Sequence, residues 1–341
     1  MSSSPSSRMP SQRFKGQVFI EKLEEVQREP LLTELDILRL FQAKNLDNKL
    51  PQGSSAGFYY FQKYCEKSFG GRKVLIDQQN LGIQSARVLV EIFLKNRSKL
   101  CKLVLPNNNL RDEGLAELSR LFFLRTNLIE LDVSSNGLTS CGLKALFECL
   151  RENETLVELK VGSNPSKQNR NILKADSAWA LARFCQGSSV LAFLDLKGLS
   201  LRKECTRILF GEAFKENRSL QELNLEGNYI ECGKSLALIS KNLPSFLKKL
   251  VLSNNEFGDQ GLKSFLENLR EKKLTSLAMG NCSLTIVGLV EVLENFKKNA
   301  HLRELELSAN DFSSSSQVPK LDIVQEFFTQ NHVLEKFSVN Q

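Results

Sequence analysis

The sequence predicts an α/β solenoid, with parallel strands on one face and helices on the other, preceded by a short helical region. Two observations carry this reading. The stretch LIELDVSSNGLTSCGLKALFECL sets Leu128, Leu131, Val133, Asn136 and Leu138 in an L-x-x-L-x-L-x-x-N-x-L pattern, then places Leu143, Leu146, Phe147 and Leu150 on one helical face. The unit also recurs: opening leucines stand at Leu100, Leu128, Leu156, Leu191, Leu220, Leu247, Leu274, Leu302 and Leu334. The spacing is even except that the units opening at Leu156 and Leu302 are longer than the rest. A degenerate unit begins near position 71, where Val74, Ile76, Gln79 and Leu81 precede Leu103, Leu105, Asn108 and Leu110 by one common period. With it the units number ten. In such an array each unit contacts only its neighbours, so 341 residues need not divide into several separate cores.

Residues 1–16 are rich in Ser, Arg and Pro and read as a disordered tail, because they offer too little apolar surface to bury. Within 17–50, Phe19, Leu23 and Val26, then Leu35, Leu38 and Phe41, fall at helical spacing on either side of Pro30, so two short helices are expected. PQGSSAG at 51–57 reads as a turn. The aromatic run FYYFQKYCEKSF at 58–69 is expected to cap the open end of the repeat core, completing a helical region over 17–70. An aromatic groove for a ligand is the rival reading of that run. The repeat domain is expected to fill 71–341.

Each repeat follows one logic. Strand side chains alternate, so the leucines point inward and the residues between them point to water. The turn asparagine (Asn108, Asn136, Asn164, Asn228, Asn255 and Asn310) is placed to hydrogen-bond backbone groups of neighbouring turns that burial would otherwise leave unpaired. Cys282 takes this place in one unit and Leu199 in another; Leu199 cannot make those bonds, so an irregular turn is expected there. Segments such as GLAELSRLF, GLKSFLENL and GLVEVLENF supply the helices. The two stretched units carry insertions at 162–176 and 311–320, which belong in surface loops. The last strand signature, EKFSVN, is expected to present an open strand edge.

Composition narrows the function classes. Charged residues make up 25% and the net charge is +7, too modest for a dedicated nucleic-acid binder. The segment 1–16 lacks the apolar stretch of a secretory signal, and no apolar run is long enough for a membrane span. The eight cysteines form no C-x-x-C pair and read as reduced, mostly buried thiols. Asn96-Arg-Ser, Asn153-Glu-Thr, Asn217-Arg-Ser and Asn281-Cys-Ser match the glycosylation triplet by chance on this reading. His301 and His332 both fall in helix-to-strand connections, no metal-ligand spacing occurs, and neither a phosphate-binding loop nor a Gly-x-Ser-x-Gly is present. No catalytic, cofactor-binding or metal-binding residue is expected, and no small-molecule ligand.

Long helical repeats of this period, with Gly at the helix start and Asn or Cys at the turn, resemble the ribonuclease-inhibitor-type leucine-rich repeats. The resemblance covers about 71–341 and implies a leucine-rich-repeat solenoid: a curved horseshoe, parallel β-strands on the concave face and α-helices on the convex face. It implies protein binding, without choosing among ribonuclease inhibitor, the GTPase-activating protein for Ran, tropomodulin-like filament-end binders, repeat domains of immune receptors and ciliary subunits. Ribonuclease inhibitor is acidic and cysteine-rich, unlike this basic chain. The Ran activator carries an acidic tail that is not seen after Leu334, although Arg111 stands in a turn where a GTPase contact would be sought.

The residues that flank the inward leucines define the candidate binding face. Its centre is Glu130, Asp132, Glu158, Lys160, Phe193, Asp195, Lys197, Glu222, Asn224 and Glu226, which is acid-rich in a basic chain. The expectation is a non-enzymatic scaffold that binds a basic or mixed-charge protein segment with Phe193 as apolar anchor, in a cytosolic or cytoskeletal complex, ciliary ones included. Regulation of a small GTPase and tropomodulin-like filament-end binding are the alternatives.

Overall fold

A computed structural model of the chain describes residues 32–51, 55–70, 72–96, 100–124, 126–164, 168–231, 233–270, 272–312 and 320–339. The expected tail at 1–16, the first helix around Phe19, Leu23 and Val26, and most of the 311–320 insertion lie outside them.

Two helices lead the fold, α1 (Glu34–Asp47) and α2 (Ser55–Ser68), followed by the short strand β1 (Phe69–Gly70). The repeat strands are β2 (Lys73–Leu75), β3 (Lys102–Val104), β4 (Glu130–Asp132), β5 (Glu158–Lys160), β6 (Phe193–Asp195), β7 (Glu222–Asn224), β8 (Lys249–Val251), β9 (Ser276–Ala278), β10 (Glu304–Glu306) and β11 (Lys336–Ser338). The helices between them are α3 (Ile83–Lys95), α4 (Arg111–Phe123), α5 (Ser140–Leu150), α6 (Ala175–Gly187), α7 (Lys203–Ile208), α8 (Phe214–Glu216), α9 (Gly233–Lys241), α10 (Leu262–Leu269), α11 (Ile286–Phe296) and α12 (Lys320–Gln330). A π-helical turn, Leu209–Ala213, joins α7 to α8.

One 11-stranded sheet holds every strand in chain order. β1 pairs antiparallel with β2, and all later pairs are parallel. The central residue of each interior repeat strand points into the core: Leu103, Leu131, Leu159, Leu194, Leu223, Leu250, Leu277 and Leu305 lie in register and are fully buried. Parallel sheets are ordinarily covered on both faces. Here helices cover one face only, so the strands are short and their outward positions are largely polar. Strands pack about 4.8 Å apart and helix axes about 8–10 Å apart, so a stack of such units must curve with the sheet inside.

The turns are tied by buried asparagines. Asn108 Oδ1 accepts from the backbone N–H of Gln79 and Leu81 in the preceding turn (3.0 and 3.2 Å), and its Nδ2 donates to the carbonyl of Ile76 (2.8 Å). Asn228, Asn255 and Asn310 repeat this pattern on the turns before them. Asn136 donates to the Leu105 carbonyl (2.8 Å) and accepts from Leu110 N–H (3.4 Å). Cys282 fills its place with a thiol that donates to the Leu252 carbonyl (3.3 Å).

Two sequence expectations need correction. Asn164 is not the turn asparagine of its unit: it is exposed, and its backbone N–H donates to Ser135 Oγ. Asn171, buried to 1% exposure, does the work instead, accepting from Asn136 N–H and Leu138 N–H (2.9 and 3.0 Å) and donating to the carbonyls of Val133 and Val161 (3.0 and 2.8 Å). The insertion therefore lies before the asparagine. Nor is the turn at Leu199 irregular. Gly198 has the positive φ, 64°, that Ser135, Gly227, Asn254 and Ala309 have at the same turn position, and Leu199 N–H still reaches Asn228 Oδ1 (2.9 Å). The lost side-chain bonds are replaced locally: Ser163 Oγ accepts from Asn171 N–H (2.6 Å), and the Leu199 carbonyl accepts from Leu173 N–H (3.3 Å). The backbone comes close here, and a Cβ on Gly198 would stand 2.4 Å from the Ser163 carbonyl oxygen.

A second brace links helix starts. Asp112 on α4 accepts from the backbone N–H (2.8 Å) and hydroxyl of Thr139, the N-cap of α5, and Asp259 accepts from Thr285 at the start of α11 in the same way. This explains Gly142, where a Cβ would stand 2.2 Å from the Asp112 carboxylate. At the other end of the helices, Asn217, buried to 1% exposure, accepts from Ser219 and Leu220 N–H and donates to the Cys185 carbonyl. Its side chain is thus committed to the fold.

Replacing Asn171 with Ala leaves two carbonyls and two N–H groups without their partner and is expected to cost on the order of 3 kcal/mol. Asn164→Ala should change stability by less than about 0.5 kcal/mol. Urea unfolding of the two variants checks the assignment; equal losses would reject it.

Candidate protein-binding face

The sheet register brings all ten centre residues together on the open face. One outward row runs Glu130, Glu158, Phe193, Glu222 and a second runs Asp132, Lys160, Asp195, Asn224. Lys197 and Glu226 follow just beyond the second row on their own chain segments. Lys73 and Lys102 lie to one side and Lys249 to the other. The centre thus holds six carboxylates and two lysines, a net of −4, in a chain whose total is +7.

The charges are organised by lateral pairing across strands. Lys160 Nζ lies 2.8 Å from Glu130 Oε1 and 3.5 Å from Glu158 Oε2, and 5.4 Å from the centre of the Phe193 ring. Lys102 approaches Glu130 from the other side at 3.7 Å. Lys197 pairs with Glu226 (2.8 Å), whose carboxylate also accepts from Asn254 Nδ2 (2.8 Å). Lys249 stands 3.9 Å from Glu222. Both lysines of the centre are therefore engaged. Glu130 and Asp132 are buried, whereas Glu158, Phe193 and Glu222 are partly open to solvent. Phe193 presents its ring partly beneath an ammonium, which makes it an amphipathic contact rather than a bare apolar one.

Burial pushes the Asp132 carboxyl above the usual aspartate range, against hydrogen bonds from Ser134 N–H and Oγ that hold it down. Burial raises Asp195 too, with the Lys197 N–H working the other way. Lys160 moves up: burial opposes its charge, but the Glu130 hydrogen bond and the nearby Glu158 and Asp132 outweigh that cost.

The other residues singled out in the sequence lie elsewhere. Arg111 is the exposed first residue of α4, with φ of 54°, its Nε donating to Asn109 Oδ1. His301 and His332 are exposed in helix-to-strand connections. The 168–171 part of the insertion follows the turns: the Asn169 carbonyl accepts from Gly137 N–H and its Nδ2 donates to the Asn108 carbonyl. Asn171, missed from the sequence, had a readable signal. The asparagines at 108, 136, 228, 255 and 310 are each followed, two positions later, by Leu, Leu, Ile, Phe and Phe; Asn171 is followed by Leu173, but Asn164 by Ser166. Among the described residues no His/Cys/Asp/Glu group is arranged for a metal ion, and no helix is long and apolar enough to cross a membrane.

Known proteins share this pattern. The family described as Leucine Rich repeat matches residues 126–147, 244–266 and 298–315. Ribonuclease inhibitor of Sus scrofa is 25% identical over 250 residues, 70% of this chain and 52% of its own length. NACHT, LRR and PYD domains-containing protein 5 of Mus musculus is 28% identical over 246 residues, 71% of this chain and 20% of its own. An internalin from Listeria monocytogenes overlays 92% of this chain and 79% of its own, with 17% identity and a TM-score of 0.45. The chain spans about half the length of the pig inhibitor and a fifth of the mouse NACHT protein. Repeat geometry and sequence matches together define a leucine-rich-repeat solenoid. More narrowly, its repeats are similar to those of the ribonuclease inhibitors of Sus scrofa and Mus musculus, each 25% identical over 70% of this chain.

Asp132→Asn should raise the urea midpoint at pH 7, because the folded state no longer holds a buried charge there. A raised aspartate favours the folded state below its ordinary value of 3.8, and that contribution is lost as pH rises through its folded value. The gain from Asn must therefore shrink as pH falls through the aspartate range. Unfolding curves at pH 7 and pH 4 check both sign and direction.

Proposed function

We propose that this protein is a non-enzymatic protein-interaction scaffold whose partner docks on the open face of the sheet over β4–β7. The observation that carries the reading is the acidic centre, net −4, set in a chain of net +7. Such a patch steers a basic or mixed-charge segment toward one place and repels acidic surfaces. The partly exposed Glu158 and Glu222 flank Phe193 in one row, which provides an amphipathic ring between two carboxylates. The ribonuclease inhibitor relatives are named for acting on another protein, a ribonuclease, which supports the class. Seven described cysteines are unpaired thiols, which supports a reducing, cytosolic setting. Burial raises the thiols of Cys65 and Cys282 to about 12 and Cys205 to about 11, so these three are packing residues without thiolate chemistry at neutral pH.

The test reverses charge where the sheet tolerates it. Glu130 is excluded because it is buried between Lys102 and Lys160. The Glu158→Lys, Glu222→Lys double variant keeps the Glu130–Lys160 pair and gives up only the longer contacts to Lys160 and Lys249, at positions open enough for the new lysines to turn to solvent. Affinity purification from the native cell, quantified by mass spectrometry, should show partners of the wild-type chain reduced at least tenfold by the double variant. The same proteins recovered in the same amounts would remove the open face from consideration.

A further inference from the structure

The helical region before the repeats carries a groove of about 460 Å³ that the binding face does not include. Its floor is Phe41 and Phe61, whose rings pack 5.5 Å apart, and its rim is Leu50, Pro51 and Tyr60. Tyr60 is 73% exposed and Leu50 55%, so the groove is open along one side. Two polar groups in it lack, among the described residues, the partners that their burial calls for. Asn45 is buried to 5% exposure, and its Nδ2 has no hydrogen-bond partner among the described residues. Lys44 is half-buried and meets no carboxylate among the described residues. It makes only a long bond to Gln79 Oε1 (3.4 Å) and a contact over the Phe61 ring (5.1 Å). Neighbouring cations are served differently: Arg39 pairs with Glu91, Lys63 with Glu66, and Lys95 with Asp36. Burial draws the Lys44 pKa down, and no carboxylate among the described residues offsets that cost. No acidic side chain stands among the described residues that line the groove. Buried polar groups are nearly always satisfied, so an orphan amide beside an unmatched lysine marks a place that an acceptor and an anion complete.

We propose that this groove is a second docking site, for a short peptide segment of a partner protein that carries a large apolar side chain beside an Asp or Glu. The apolar side chain packs on Phe41, Phe61 and Tyr60, the carboxylate pairs with Lys44, and a peptide carbonyl accepts from the Asn45 amide. Openness selects a peptide over a compact organic acid, since pockets for the latter enclose about 70–90% of the ligand surface. The chemistry is opposite to that of the sheet centre. One chain would thus hold an acidic segment at its cap and a basic one on its open face.

The test pans a random dodecapeptide library on phage against the full chain, then measures labelled winners by fluorescence anisotropy. Enriched peptides should pair Asp or Glu with Leu or Phe. Lys44→Met should weaken them at least tenfold and Tyr60→Ser, at the exposed rim, at least threefold. Lys44→Arg should retain binding, and the Glu158→Lys, Glu222→Lys variant should bind as wild type does. Circular dichroism melts that stay within a few degrees of wild type keep a loss from being read as unfolding. Failure to enrich peptides of that kind, or their indifference to both Lys44→Met and Tyr60→Ser, overturns the proposal. So does Lys44-dependent binding of 4-phenylbutyrate with no peptide bound, which would assign the groove to a small organic acid.

Discussion

The whole array depends on how a solenoid pairs the backbone of its turns. Each turn is tight, buried by the next, and short of partners for its N–H and C=O groups. One amide side chain per unit, with both a donor and an acceptor end, serves its own turn and the one before it. Asn108, Asn136, Asn171, Asn228, Asn255 and Asn310 all do so. The aspartates beneath the helix starts and the asparagines at the helix ends extend the same device, one unit holding the backbone of its neighbour. With the layers locked this way, very short strands suffice, and the outward strand positions become available for recognition.

Those free positions are not independent of one another. Parallel strands about 4.8 Å apart place like positions within reach of long side chains, so the surface sorts itself into lateral ion pairs. Lys160 serves carboxylates on two strands and also shields Phe193. The resulting face is pre-paired, with Glu158 and Glu222 retaining solvent access at the centre. An incoming basic group would exchange partners with these lysines rather than meet bare charge, which favours selectivity over raw affinity.

Much of this was legible because the leucine period is set by geometry that admits little variation. A slip of one position would turn the inward leucines to water, so the strands and their register follow from spacing alone. What the sequence hid were matters of lateral neighbourhood. Counting forward from Leu156 lands on Asn164, and only the apolar residue two positions later discriminates in favour of Asn171. The turn at Leu199 looked deficient, but the backbone approach at Gly198 and the Ser163 hydroxyl belong to different units and restore it. Which acids are covered and which are open depends on lysines one strand away, and the placing of Lys44 and Asn45 beside Phe61 emerges only once α1 and α2 pack together.

The unit around Leu199 has one more property. It lacks the buried amide that stitches every other interior turn to its predecessor, apart from the Cys282 thiol, and its helix is interrupted by the π turn at Leu209–Ala213. In a linear array, cooperativity is only as long-range as its weakest junction. The junction between β5 and β6 is therefore held without a turn amide, by backbone bonds such as Ser163 N–H to the Lys197 carbonyl (2.6 Å), and it runs beneath Phe193, in the middle of the acidic face. A partner bridging Glu158 and Glu222 would span that junction from the solvent side, so that recognition and the joining of neighbouring repeats would fall on the same strands.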